Sequence, residues 1–313
     1  MKRIIYSLFF CTLFLQLSCK GQEDTKINGV SFVASPDVAK QEHVDPVIKI
    51  NANSAAIMPF GFIRDLTNPE VRYNSDRQWF GETKKGAKQY IELLHKNNIQ
   101  VMLKPQIWVW RGEFTGNIKM NSEEDWKALE SSYSKFILDY ADLAQTTQVA
   151  LFCIGTELEQ FVKLRPDYWK QLIKEIRNIY KGKLTYAANW DEYPKTSFWQ
   201  DLDYIGIDAY FPICEEKTPS LENLKKGWVK HKTAIKGISD KYQKQILFTE
   251  FGYRSVDFTG SKPWEVDYSK TSVNLQGQVN ATQVIFDTFW HEEWFAGGYI
   301  WKWFIHYDRA GGE

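Results

Sequence analysis

The chain lacks a dominant charge. Its 313 residues carry 39 Lys and Arg against 39 Asp and Glu, a formal net charge of +0 with a pI near 7.0. A basic footprint is therefore missing, and nucleic acid is not expected as a partner. Cysteine is scarce as well. Of four cysteines, Cys11 and Cys19 fall in the first 19 residues, which leaves Cys153 and Cys214. Two cysteines make no disulfide framework, and nothing around them has metal-ligand spacing. No bridge between them is expected, and Cys153, within the apolar run 149–154, reads as a buried thiol. Internal repeats, low-complexity tracts and long linkers are absent after residue 27. Also absent is a Gly-rich turn after an early strand, the usual mark of a doubly wound dinucleotide-binding sheet. Hydrophobic residues at 43% and charged residues at 25% exclude a disordered or collagen-like chain. Aromatics are abundant: 13 Trp, 16 Tyr and 20 Phe make up 16% of the residues. Some must pack the core; the excess suits stacking on flat ligands, sugar rings among them.

The N-terminus reads as a targeting segment. Lys2 and Arg3 precede an apolar run, Ile4 to Leu17, too short for a membrane span. Ser18-Cys19 after that run resembles a bacterial lipoprotein cleavage site, although Gln16 replaces the usual aliphatic residue three places before the Cys. The expected organisation is a signal peptide over 1–18, a polar tether over 19–27 lipidated at Cys19, and one catalytic domain over 28–313. The expected location follows: secreted across the inner membrane and lipid-anchored in the bacterial cell envelope, at the outer membrane or in the periplasm. An ordinary secretory signal with an incidental Cys is the simpler reading of the same residues.

Eight short apolar runs follow: 29–34, 55–62, 99–105, 149–154, 184–188, 204–210, 245–249 and 298–304. Several lack polar alternation, as strands buried on both faces do. Amphipathic segments lie between them, over about 76–96, from Ser122, from Pro166, from Ser220 and over about 275–294. Buried strands alternating with helices indicate parallel connections and a (β/α)8 TIM barrel. A closed barrel needs an eighth helix after the last strand, and residues 305–313 do not resemble one; the expectation is a chain cut short of it.

Catalytic groups of such a barrel sit at the C-terminal strand ends. The fourth run ends in Gly155-Thr156-Glu157-Leu158-Glu159, and the seventh in Thr249-Glu250-Phe251-Gly252. A carboxylate at the rim of an apolar strand is costly unless paired or used. Each Glu alone could be a buried ion pair. Two of them facing each other across a barrel mouth are what glycoside hydrolysis requires, one to protonate the leaving oxygen and one to attack the anomeric carbon. The other strand ends supply Lys104, Gln106, Asn189 and Asp208 for sugar hydroxyls and Trp190, Trp301 and Trp303 for stacking. Glu159, two residues from Glu157, remains a second carboxylate candidate.

These residues carry a resemblance. Phe152-Cys153-Ile154-Gly155-Thr156-Glu157-Leu158, Tyr204-Ile205-Gly206-Ile207-Asp208-Ala209-Tyr210 and Phe248-Thr249-Glu250-Phe251-Gly252-Tyr253 are similar to glycoside hydrolase family 113. Asn28 to Phe32 and Leu103 to Gln106 support it, and the likeness runs from about residue 28 to 304. The resemblance implies a retaining clan A enzyme with endo-β-1,4-mannanase activity and a poly- or oligosaccharide substrate. It implies Glu157 as acid/base, Glu250 as nucleophile and Tyr210 as the residue that steadies the nucleophile. Thr156 stands where many clan members have Asn. No metal or organic cofactor is required. Two other readings fit the same rim: a non-catalytic glycan-binding lipoprotein, or a clan-related glycosidase or transglycosylase acting on another polysaccharide.

Overall fold

The structure, a computed structural model, describes residues 26–265 and 272–306. The signal peptide, Cys19 and all of the tether but its last two residues lie outside the described residues, as does the chain end after 306 on which the eighth-helix expectation falls. In chain order the elements are β1 (Ile27–Phe32), α1 (Gln41–Lys49), β2 (Ser54–Ile57), β3 (Phe60–Ile63), α2 (Lys84–Lys96), β4 (Gln100–Leu103) and β5 (Gln106–Val109). Then come α3 (Glu123–Thr146), β6 (Leu151–Thr156), α4 (Glu159–Leu164), α5 (Pro166–Ile179), β7 (Lys183–Asn189), β8 (Ile205–Asp208), α6 (Leu221–Tyr242), β9 (Ile246–Phe251), α7 (Leu275–Phe289) and β10 (Phe295–Trp303).

Eight of the strands close into an all-parallel barrel in the order β1-β10-β9-β8-β7-β6-β4-β2, with helices in most connections, a (β/α)8 architecture. The strands are apolar on both faces because both are covered; β2 and β9 are buried at every residue. The lower barrel interior is filled by mostly compact side chains, Ala56, Met102, Cys153, Ala187 and Leu247, above Tyr299. The layer between strands and helices is built from large rings, with Trp169, Trp199 and Trp228 fully buried. Much of the aromatic content is therefore core.

The helices begin where their caps dictate. Ser122 Oγ accepts from Asp125 N, and Ser220 Oγ accepts from Asn223 N. Pro166 opens α5 at its first turn, where its missing N–H costs nothing.

Several details differ from the sequence expectation. The run 55–62 is two strands, because Pro59 has no N–H to give the ladder. Beyond Pro59 and Pro105, β3 pairs with β5 in a separate two-stranded parallel sheet that prolongs β2 and β4. Helix α1 was hidden by Pro46 in its interior. The segment from residue 76 becomes helical only at Lys84, where Thr83 Oγ1 caps Gly86 N, and α7 ends at Phe289. Between β7 and β8 the chain makes only a 3-10 turn at Trp199–Asp201.

Candidate active site

Glu157 directly follows β6 and Glu250 is the penultimate residue of β9, and each strand carries a bulge near its C-terminal end. Along β6 and β7 the register moves from Cys153↔Thr185 to Thr156↔Ala187, three steps against two. Along β8 and β9 it moves from Ile207↔Phe248 to Asp208↔Glu250, one step against two. An extra residue re-aims the side chains that follow it. On β9 the result is that Thr249 and Glu250, adjacent in sequence, both face inward: Thr249 Oγ1 donates to Asp208 Oδ1 at 2.7 Å, and Glu250 meets Lys104.

Glu250 is held by three donors. Tyr210 Oη donates to Oε2 at 2.7 Å, Gln106 Nε2 donates to Oε1 at 3.1 Å, and Lys104 Nζ donates to Oε1. Lys104 Nζ also donates to Asp208, at 3.2 Å to Oδ1 and 3.4 Å to Oδ2. Lys104 and Asp208 are both 0% exposed and Glu250 is 6% exposed. Burial alone would favour neutral Lys104, but the charges of Asp208 and Glu250 outweigh it and hold the ammonium above its ordinary range. Asp208 is pushed up to about 7, by burial first and then by Glu250, against the pull of Lys104 and Thr249. Sequence reasoning assigned Lys104 and Asp208 to sugar hydroxyls. The structure corrects this: both lie beneath Glu250, sealed from solvent, with their charges turned on each other.

Glu157 directly follows β6, with its side chain half-buried. Its carboxyl is raised well above the ordinary carboxylate range, by burial first and then by the negative charges of Asp208 and Glu250. A single ammonium thus serves several carboxyl groups, and Glu157, like Asp208, is driven toward its protonated form. Glu159, two residues on, begins α4 and pairs with Lys195 Nζ at 2.8 Å.

Asn189 ends β7, Trp190 follows it, and both are partly exposed. Trp190 stacks on Trp264, with centroids 5.2 Å apart and planes at 22°, and meets Phe211 edge-on. Trp264 is 44% exposed, so the pair presents a flat aromatic surface. Trp301 and Trp303, on β10, are partly exposed, and the buried Nε1 of Trp303 has no hydrogen-bond partner among the described residues. Sequence reasoning missed Thr249, Tyr186 and Trp264 as contributors. Glu192 was visible only as the end of a polar cluster after β7.

A family model described as Glycoside Hydrolase Family 113 matches residues 36–311. The chain belongs to Glycoside Hydrolase Family 113. It is a glycoside hydrolase, and its substrate is a saccharide. Among solved structures, the fold is similar to that of the GH113 β-mannanase from Alicyclobacillus acidocaldarius in complex with ManMIm, with 23% identity, TM-score 0.79, and 90% of this chain and 88% of that one covered. A GH113 β-1,4-mannanase, also seen in a complex, shares 21% identity with TM-score 0.78 and 90% coverage of both chains. A β-glucuronidase from Faecalibacterium prausnitzii shares the fold over 42% of its own length, with 14% identity and TM-score 0.59. Among curated proteins none matches significantly.

Proposed function

We propose that the chain is a retaining endo-β-1,4-mannanase in which Glu250 is the nucleophile and Glu157 the acid/base. The observation that carries this reading is the contrast between the two carboxyl groups. Glu250 accepts from Tyr210, Gln106 and Lys104, so an oxygen is fixed and aimed from below. Glu157 has no such cage among the described residues and is pushed up by burial and by like charge, so it keeps a proton to give. Two carboxyl groups in opposed environments divide into base and acid.

In the first step Glu250 attacks the anomeric carbon while Glu157 protonates the departing glycosidic oxygen, giving a glycosyl ester on Glu250 and a free reducing-end fragment. In the second step Glu157, now ionised, takes a proton from water. That water attacks the anomeric carbon and releases Glu250 as a carboxylate. Lys104 and Asp208 act from beneath, keeping Glu250 in place. Asn189 and the Trp190, Trp301 and Trp303 rings are assigned to substrate contacts. Mannan is favoured as substrate because the GH113 structures of similar fold are β-mannanases. Residues 1–27 complete the reading: a lipid on Cys19 and a short tether would hold the enzyme in the cell envelope.

The test is reducing-end release from mannan, glucomannan, xylan and mixed-linkage β-glucan side by side. Release from the mannans, lost in Glu157→Gln and Glu250→Ala, is the expected result. Turnover of xylan or β-glucan alone would overturn the substrate assignment, and an active Glu250→Ala variant would overturn the site.

A further inference from the structure

Glu157 is not a glycine, yet its φ is 50°, in the left-handed region. Such a conformation is strained for an L-residue and persists only when the surroundings fix it. Three backbone hydrogen bonds do so. Glu157 N donates to Ala187 O at 2.8 Å, Thr115 Oγ1 donates to Glu157 O at 3.2 Å, and Leu158 N donates to Tyr186 Oη at 2.7 Å. The third acceptor is a fully buried phenol, and its own hydrogen is committed to Glu192 Oε1 at 2.7 Å. Glu192 Oε2 in turn accepts from Asn189 N at 3.1 Å. A phenol whose proton is tied to a carboxylate can only accept from Leu158, so the direction of the chain of bonds is fixed.

The placement of these groups is built into the core. The Tyr186 ring packs edge-on against the stacked Trp169 and Phe198 rings, at 5.6 and 5.4 Å. Strand β6 reaches this cluster because Gly155 has no side chain; a Cβ there would lie 2.9 Å from Trp169 and from the Tyr133 hydroxyl and 3.1 Å from Tyr186. Glu192 is 1% exposed and forms no ion pair among the described residues. A buried, unpaired carboxyl is expensive, and burial holds this one up at about 8. Tying down the turn after β7 needs only a neutral acceptor, so that task does not account for it.

We propose that Tyr186 and Glu192 are positioning residues for Glu157, holding the left-handed turn that aims its carboxyl at the leaving oxygen. This rests on the assignment of Glu157 as acid/base made above. Above about pH 8, where Glu192 ionises, it also faces Glu157 as a negative charge, alongside Asp208 and Glu250 and opposite Lys104, and adds to the pressure that keeps its proton on.

The test exploits a substrate that needs no acid. The kcat/KM of the full chain would be measured on aryl β-mannobiosides with a dinitrophenyl and with a phenyl leaving group. Wild type is compared with Tyr186→Phe, Glu192→Gln and Glu157→Gln. Tyr186→Phe should lose about tenfold or more on the phenyl substrate while staying within about threefold on the dinitrophenyl one. Glu157→Gln should show the same split, larger. Glu192→Gln should show it in the same direction and shift the alkaline limb of kcat/KM to lower pH. Melting curves identify a variant that fails to fold, and the other then carries the test. Equal losses on both substrates in Tyr186→Phe and Glu192→Gln, with the split intact in Glu157→Gln, overturn the positioning role alone. No split in Glu157→Gln overturns the acid/base assignment, and this proposal with it.

Discussion

Replacing Lys104 by Met tests the charge balance beneath Glu250. Methionine is close to the lysine stem in volume, so the change removes the ammonium with little cavity. What remains is Asp208, fully buried and already pushed up to about 7, facing Glu250 with no cation between them. Removing one partner of a buried ion pair costs about 3–5 kcal/mol. For a domain of this size that corresponds to roughly 6–20 °C in Tm. The pH dependence follows from the sign of the Asp208 shift. A carboxyl whose folded-state value is raised costs stability when ionised, and that cost is relieved as pH falls through about 7. Without Lys104 the value rises further, so the Tm deficit should be largest near pH 8 and shrink toward pH 5. Differential scanning calorimetry of wild type and Lys104→Met at both pH values gives the answer. A deficit that is independent of pH, or below about 2 °C, would refute the picture of one ammonium neutralising two buried carboxylates.

Other expectations follow from the same geometry. Tyr210→Phe removes one of the three hydrogen bonds to Glu250 and should lower kcat/KM on mannan by about 10–100-fold with little change in Tm, read by steady-state kinetics. Because Glu157 must be protonated to act and its carboxyl is held high, the alkaline limb of kcat/KM should lie well above the ordinary carboxylate range and disappear in Glu157→Gln. Trp190→Ala breaks the stack with Trp264 and should raise KM for long mannooligosaccharides about three- to tenfold while leaving kcat nearly unchanged. Cys153, buried and with its thiol pushed up to about 11, should resist alkylation in the native protein and react once it is unfolded, as mass spectrometry would show.

The barrel was legible in the sequence because its strands are short runs apolar on both faces, a pattern that parallel sheets with helices on them produce. The caps at Ser122, Pro166 and Ser220 were legible for the same local reasons that make them work. The small sheet β3–β5 was not, because Pro59 lies inside what reads as one apolar run, and the pairing it leaves is a long-range one. Lys104 and Asp208 were picked out correctly as strand-end polar residues and given the wrong surroundings. Which of two adjacent side chains turns inward depends on the bulges near Gly155 and Thr249, and a bulge leaves no mark in composition or periodicity. Trp264 sits in a loop after β9 and becomes part of the aromatic surface only through its contact with Trp190, some 70 residues earlier in the sequence.

The most direct measurement is to trap the intermediate. An activated 2-deoxy-2-fluoro-β-mannoside slows both steps but the second more, so a retaining enzyme accumulates its glycosyl ester. Peptic digestion and tandem mass spectrometry then locate the label. A single fluoromannosyl adduct on Glu250, absent in Glu250→Ala and released on adding an acceptor sugar, is the expected result. An adduct on Glu157 or Asp208, or turnover of mannan with inversion and no adduct at all, would contradict the assignment of Glu250 as nucleophile.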